Sequence, residues 1–187
     1  SAVERTRNEI LKFRGAAVDV YFSANCGGFR HTPSELYGGD GNDAPYFLNI
    51  TGRKCPCSLL NKRKWEAVLP AAELKKIFGF RVFSLEKNDA GSVIVNNKTR
   101  IGFDAFMKAI ERSNLDRVKS PDFNIYHDLK RDRYILEGFG VGHGIGLCDD
   151  GAAALAASGE NYREILMFYY KGCSTDAVFH SHELRLK

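Results

Sequence analysis

From residue 138 to residue 146 glycine takes every second position: Gly138-Phe-Gly-Val-Gly-His-Gly-Ile-Gly146. In an extended chain side chains alternate between faces, so this spacing leaves one face as bare main chain. The other face carries Phe139, Val141, His143, Ile145 and Leu147. A glycine-only face loses conformational entropy on folding and packs nothing of its own. Its explanation is the close approach of something else, either a ligand or another strand's backbone. Two rival motifs fail on spacing. The third glycine falls one position early for the dinucleotide turn G-x-G-x-x-G, and no Gly-Lys-Ser/Thr follows for a phosphate-binding loop. His143, between two glycines, is sterically accessible to substrate; the plainer reading is a packed, locally hydrogen-bonded histidine.

A second segment carries chemistry: Tyr21-Phe-Ser-Ala-Asn-Cys-Gly-Gly-Phe-Arg-His-Thr-Pro-Ser-Glu35. An extended run enters a double glycine, Gly27-Gly28, and then a polar loop. Ser23 and Thr32 offer hydroxyls to sugar or backbone groups, and Glu35 is the nearby carboxylate suited to acid–base work. The competing role for Glu35 is capping or solvation. No Gly-x-Ser-x-Gly elbow surrounds Ser23, which argues against a serine-hydrolase triad.

The rest of the chain mixes short strands with amphipathic helices. Glu9 to Phe13 and Ala17 to Phe22 suggest a hairpin about Arg14-Gly15. Residues 23 to 58 form a Gly-, Asn-, Asp- and Pro-rich stretch, longer than an ordinary loop and therefore functional in expectation. A helix begins at Pro70 and stops at Gly79. Strands over Arg81 to Leu85 and Ser92 to Val95 flank a turn at Asn88 to Gly91. Phe103, Phe106, Met107 and Ile110 share one helical face, and core packing explains that stripe better than a cofactor box. Phe123 to Tyr126 and Arg133 to Leu136 form another strand pair. Asp149 or Asp150 caps a helix over Ala152 to Ala157, stopped by Gly159. Asn161 to Glu164 has capping-box spacing and opens a helix through Tyr170 that Gly172 ends. The expected class is α+β: one domain over residues 1–187, of short, mostly antiparallel strands and hairpins with three to four packed helices.

Composition excludes several classes. A chain of 187 residues with 44% hydrophobic and 27% charged residues is neither disordered nor fibrous. No apolar run approaches the ~20 residues of a membrane span, and the first residues lack a signal peptide's apolar core. The net charge of +4 tolerates a polyanion without demanding one. Basic residues are dispersed and no nucleic-acid-binding signature appears, so nucleic acid is not an expected partner. Five cysteines, Cys26, Cys55, Cys57, Cys148 and Cys173, allow two disulfides and a thiol, a metal site, or burial. A bridge within Cys55-Pro56-Cys57 would be a very tight ring, so each of the two pairs elsewhere or binds metal.

Taken in order, these segments resemble the SpoIID/LytB family of peptidoglycan lytic transglycosylases. The resemblance rests on Thr6, Tyr21 to Gly28 with Thr32, Trp65, Lys119-Ser120-Pro-Asp-Phe123, Gly138 to Ala152, and Tyr162 to Gly172. It implies non-hydrolytic cleavage between N-acetylmuramic acid and N-acetylglucosamine, one carboxyl acting as acid and then as base while a 1,6-anhydro ring closes. The alternative is a peptidoglycan-binding or amidase-enhancer module without turnover. The site residues so implied are Glu35 and His143 for chemistry, with Tyr21, Ser23, Gly27, Gly28, Thr32, Gly140, Gly142 and Gly144 against the glycan, the two segments lining one groove. The partners are glycan strands, stem-stripped, and an amidase, with no membrane span in this chain. The expected location is extracytoplasmic (periplasm, cell wall or intermembrane space), with anchoring through sequence before Ser1.

The resemblance has departures. The family's catalytic glutamate sits in a Glu-Met-Pro segment not found here, so the expectation is an acid upstream of Ser1, the alternative being a degenerate member of the family. Cys148-Asp149-Asp150 replaces the family's Ser-Gln pair. An extracytoplasmic setting favours disulfides, Cys26 with Cys55 or Cys57 and Cys148 with Cys173, and no cofactor. The rival is a structural zinc held by Cys26, His31, Cys55 and Cys57.

Overall fold

A computed structural model describes residues 2–48, 54–60, 63–88, 92–113, 115 and 118–177. After the short helix α1 (Ala2–Arg5), β1 (Glu9–Phe13) turns through Arg14 and Gly15 into β2 (Ala16–Ala17). Both turn residues have positive φ, 50° and 85°, the geometry that matches strand twist in a two-residue hairpin. The second strand is shorter than its sequence suggests. Val18 N–H still reaches the Leu11 carbonyl at 3.1 Å, beyond it the chain leaves β1, and β3 (Phe22–Ser23) pairs in parallel with β10 (Leu147–Cys148). The Tyr21 carbonyl explains the departure, since it accepts from Leu147 N–H and the Tyr170 hydroxyl.

The long polar stretch holds three short helices, α2 (Pro33–Tyr37), α3 (Pro45–Leu48) and α4 (Cys57–Leu60). Then β4 (Lys64–Pro70) feeds α5 (Ala71–Phe78), which Gly79 ends in the left-handed conformation. A meander follows: β5 (Leu85–Lys87), β6 (Val93–Val95) and β7 (Thr99–Ile101). Its first strand starts at Leu85 because Asn96 Oδ1 draws the Phe83 and Ser84 N–H groups out of the ladder. Of the turn expected at 88–91, residues 89–91 lie outside the described residues. Helix α6 (Phe103–Glu111) buries Phe103, Phe106 and Ile110, as their spacing requires. Strand β9 (Arg133–Phe139) runs antiparallel between β8 (Phe123–Asp128) and β4. Helices α7 (Asp149–Ala157) and α8 (Tyr162–Tyr169) precede β11 (Ser174–Ala177), which joins β1. The Asn161 side chain accepts from Arg163 and Glu164 N–H while Glu164 accepts from Asn161 N–H, a complete capping box. The class is α+β, and the packed helices of eight or nine residues are α5, α6, α7 and α8.

Hydrophobic burial divides into two clusters. One joins β4, β8 and β9 to the meander and to α5 and α6, around Trp65, Phe106, Tyr134 and Leu136. The other gathers Leu36, Phe47, Ile145, Tyr169 and Tyr170 with all five cysteines. The glycine block leaves the first cluster at the end of β9 and enters the second at β10. It is the seam between them.

Candidate functional site

The glycine block is not an extended strand with one bare face. Gly140, Gly142, Gly144 and Gly146 all have positive φ, from 70° to 102°, so successive residues do not alternate as in a pleat. What approaches the glycines is the Tyr21–Gly28 segment. A Cβ on Gly140 would stand 2.7 Å from the Asn25 carbonyl oxygen, and one on Gly142 2.8 Å from Ser23 Cβ. On Gly144 it would meet the His31 ring at 3.2 Å, and on Gly138 the Trp65 indole at 2.3 Å. Main-chain hydrogen bonds knit the segments: Asn25 and Val141 exchange both N–H···O bonds, at 3.1 and 2.7 Å, and His31 N–H reaches the Gly144 carbonyl at 3.1 Å. Of the two explanations the spacing allows, another segment's backbone is the one observed.

Asn25 fixes this junction, and sequence reasoning missed it. Fully buried, it accepts Gly27 N–H on Oδ1 at 2.7 Å and donates from Nδ2 to Asp150 at 2.8 Å. Asp150 also takes both bonds of a fork from Arg63, each 2.7 Å. Its carboxyl is held below the usual range, first by the Asn25 hydrogen bond and then by Arg63. Asp150 therefore clamps instead of capping; the residue at the head of α7 is Cys148, and no side chain caps that end.

Thr32 and Glu35 serve the backbone. Thr32 is the N-cap of α2, Glu35 N–H donates to its hydroxyl, and Thr32 N–H donates to the Glu35 carboxylate at 2.8 Å. This is a capping box, the plainer of the two roles the sequence allows. The His31 imidazole sits between two carboxylates, Nε2 3.3 Å from Asp122 and Nδ1 3.6 Å from Glu35. Ser23 is buried and its hydroxyl has no hydrogen-bond partner among the described residues. The Tyr21 ring packs edge-on against Phe47 and His143.

His143 Nδ1 accepts the Ile145 N–H at 3.0 Å, which fixes the neutral tautomer with its proton on Nε2. Burial pushes the imidazole below its ordinary value, a main-chain hydrogen bond at Phe22 partly offsets this, and His31 adds to it. His143 and Gly142 line a cavity of about 250 Å³ with Tyr37, Met107, Glu111 and Lys119. Gly27 and Gly28 line a second, of about 280 Å³, with Phe29, Lys54 and Ser58. Among the described residues these two cavities share no lining residue. Larger clefts border α5 and β8 and share no lining residue with the glycine block.

The cysteines depart from both expected arrangements. All five are free. Cys26, Cys55, Cys57 and Cys148 bring their sulfurs within 4.8 Å of one another, every one buried, a set of four donors that could hold an ion such as zinc. Cys173 is not among them, so the pairing of Cys148 with Cys173 is not formed. His31 is not among them either; its ring is engaged by Asp122 and Glu35, and Cys148 takes the fourth place. Only the tertiary fold could reveal that substitution, because Cys148 lies in a different segment from the other three.

The chain is similar to an uncharacterized protein of Brachyspira hyodysenteriae, 30% identical over 178 residues that cover 91% of this chain and 46% of that protein. It is similar also to the amidase enhancer of Bacillus subtilis, 23% identical over 224 residues covering 91% of this chain and 31% of that one. It spans less than half the length of these curated relatives. No protein-family model matches it. Among the described residues no helix is long and apolar enough to cross a membrane.

Proposed function

We propose that the chain is a cell-wall module that binds peptidoglycan glycan strands at the cavity beside Gly142 and His143, acting outside the cytoplasm as an accessory to an amidase. The observation that carries this reading is the composition of that cavity. Tyr37 is half exposed there, Met107 adds an apolar wall, His143 is neutral, and Lys119 supplies a cation. Saccharide rings offer apolar faces and hydroxyl edges, which suit an aromatic plane beside fixed polar groups. Stem-stripped muramic acid also exposes a carboxylate, which an ammonium group matches. The likeness to an amidase enhancer supports the same direction.

The whole chain would act as one SpoIID-like domain, anchored through sequence before Ser1. Sedimentation with purified, amidase-treated sacculi tests the reading. Binding is expected, with a loss of about tenfold or more in Tyr37→Ala as an aromatic contact is removed. Equal retention of both proteins overturns the assignment of the cavity.

One observation favours a second reading, lytic transglycosylation. The same cavity holds the Glu111 and Asp104 carboxylates beside an imidazole, and acid–base cleavage needs a carboxyl within reach of the glycosidic oxygen. Asp104 is already paired with Lys108 at 2.6 Å, which leaves Glu111, or an acid from upstream sequence, for that role. Mass spectrometry of digested glycans decides: anhydro-muramoyl ends establish cleavage, and intact strands leave the binding module alone.

A further inference from the structure

We propose that Cys26, Cys55, Cys57 and Cys148 form a tetrathiolate zinc centre that bolts the long polar loop to the head of α7. The inference is independent of the glycan reading, and either can fail without the other.

The geometry suits a single ion. Zinc–thiolate bonds of about 2.3 Å in a tetrahedron place sulfurs about 3.8 Å apart. Here Cys26 Sγ and Cys57 Sγ are 3.6 Å apart and all four sulfurs lie within 4.8 Å. An iron–sulfur cubane or rhomb needs its cysteine ligands farther apart, with inorganic sulfide between them. Cys55-Pro56-Cys57 supplies two ligands from one turn, held by Ser58, whose N–H and hydroxyl both donate to the Cys55 carbonyl at 3.1 and 2.8 Å.

The surroundings suit the charge. Four thiolates on a divalent ion carry two net negative charges, which buried surroundings must offset. Cys26 N–H points at Cys148 Sγ at 3.3 Å, and the Tyr169 hydroxyl lies 3.3 Å from Cys55 Sγ. Outer-shell donors of this kind fix ligand orientation. Cys148 stands at the N-terminus of the nine-residue α7, where the helix dipole favours an anion. Arg30, 5% exposed, stacks on the Tyr169 ring with 5.6 Å to its centroid, which puts a buried cation one ring away. A pair of neutral disulfides has no need of such an arrangement.

Space is reserved as well. A Cβ on Gly151, in the first turn of α7, would lie 2.5 Å from Cys55 Sγ and 2.2 Å from the Tyr169 hydroxyl. The centre would tie three distant stretches together and hold Gly27 against the Phe139 carbonyl, 2.9 Å from where a Gly27 side chain would begin.

The test is elemental analysis with a thiol count on the full chain, purified without metal-affinity resin. One zinc per chain is expected, with five thiols titrating after denaturation in chelator. Cobalt exchanged for zinc should give the visible absorption and sulfur charge-transfer bands of a tetrahedral thiolate site. Cys173→Ser should keep one zinc, while Cys57→Ser should retain under a tenth. If Cys57→Ser does not fold, the wild-type cobalt spectrum and the Cys173→Ser stoichiometry still decide. One titrating thiol without metal would mean two disulfides and overturns the proposal. So does a chain with five thiols that takes up no zinc, or one isolated with iron in its place.

Discussion

The Tyr21 carbonyl oxygen fills the place where a side chain on Gly146 would begin: a Cβ there would stand 2.1 Å from it. That oxygen already accepts from Leu147 N–H and from the Tyr170 hydroxyl, so it has no room to retreat. Gly146 also has φ of 71°, which costs an alanine further. Gly146→Ala should therefore destabilise by about 3 kcal/mol, the scale of overpacking combined with backbone strain. The urea midpoint reads this directly. An unchanged midpoint would show that the seam between the two cores yields freely.

Trp65 and Ser120 make a second joint. Trp65 Nε1–H donates to Ser120 Oγ at 3.1 Å, and that hydroxyl donates onward to the Phe139 carbonyl. Both side chains are buried, so Ser120→Ala takes the acceptor from a buried indole N–H. The expected loss is about 2 kcal/mol, with a shift in tryptophan fluorescence. Trp65 is the single tryptophan, which makes the spectral change assignable.

Much of the fold was legible because its signals are local. The Asn161–Glu164 box, the Arg14-Gly15 hairpin and the left-handed Gly79 each depend on residues within one turn. The Phe103–Ile110 stripe gave the helix its buried face. The glycine block was legible only as a demand for close approach. Alternation suggested a pleat, but four positive φ values replace the pleat by a chain wound round Tyr21–Gly28. Glu35 and Asp150 show the limit for carboxylates. The first had a capping partner three residues away, whereas the second found Asn25 and Arg63 across 125 and 87 residues. The cysteine cluster was illegible for the same reason, with Cys148 122 residues from Cys26.

Acidification should destabilise the protein in two windows. Burial lowers the His143 value below 6.5 in the folded state, so below about pH 6.5 the unfolded chain takes up the proton first. Stability is full above that pH and falls as pH drops toward the folded value. Asp150 behaves likewise at lower pH. Its folded value lies below 3.8, so its contribution is lost as pH falls through that region. Urea midpoints of wild type and His143→Gln, measured between about pH 7 and pH 5, isolate the first window. The variant should show the flatter curve. Parallel curves would mean that His143 titrates as freely in the fold as in the unfolded chain. Because acid also releases zinc from thiolates, the difference between the two proteins is the relevant quantity.

Gly151 sets two physical effects against each other. It lies inside α7, where alanine is worth about 1 kcal/mol more than glycine in helix propensity. Propensity alone makes Gly151→Ala a stabilising change. The added methyl, however, would overlap the Tyr169 hydroxyl and Cys55 Sγ. Tyr169 is fully buried, so its ring has nowhere to swing, and Cys55 is equally enclosed. Forcing a methyl into such packing costs about 1–3 kcal/mol, which outweighs the propensity gain across most of that range. A lower urea midpoint is expected, together with faster reaction of the native cysteines with a thiol reagent as the cluster is pried apart. A higher midpoint with unchanged thiol reactivity would mean that the space around Gly151 is looser than it looks, and that the four sulfurs do not depend on it.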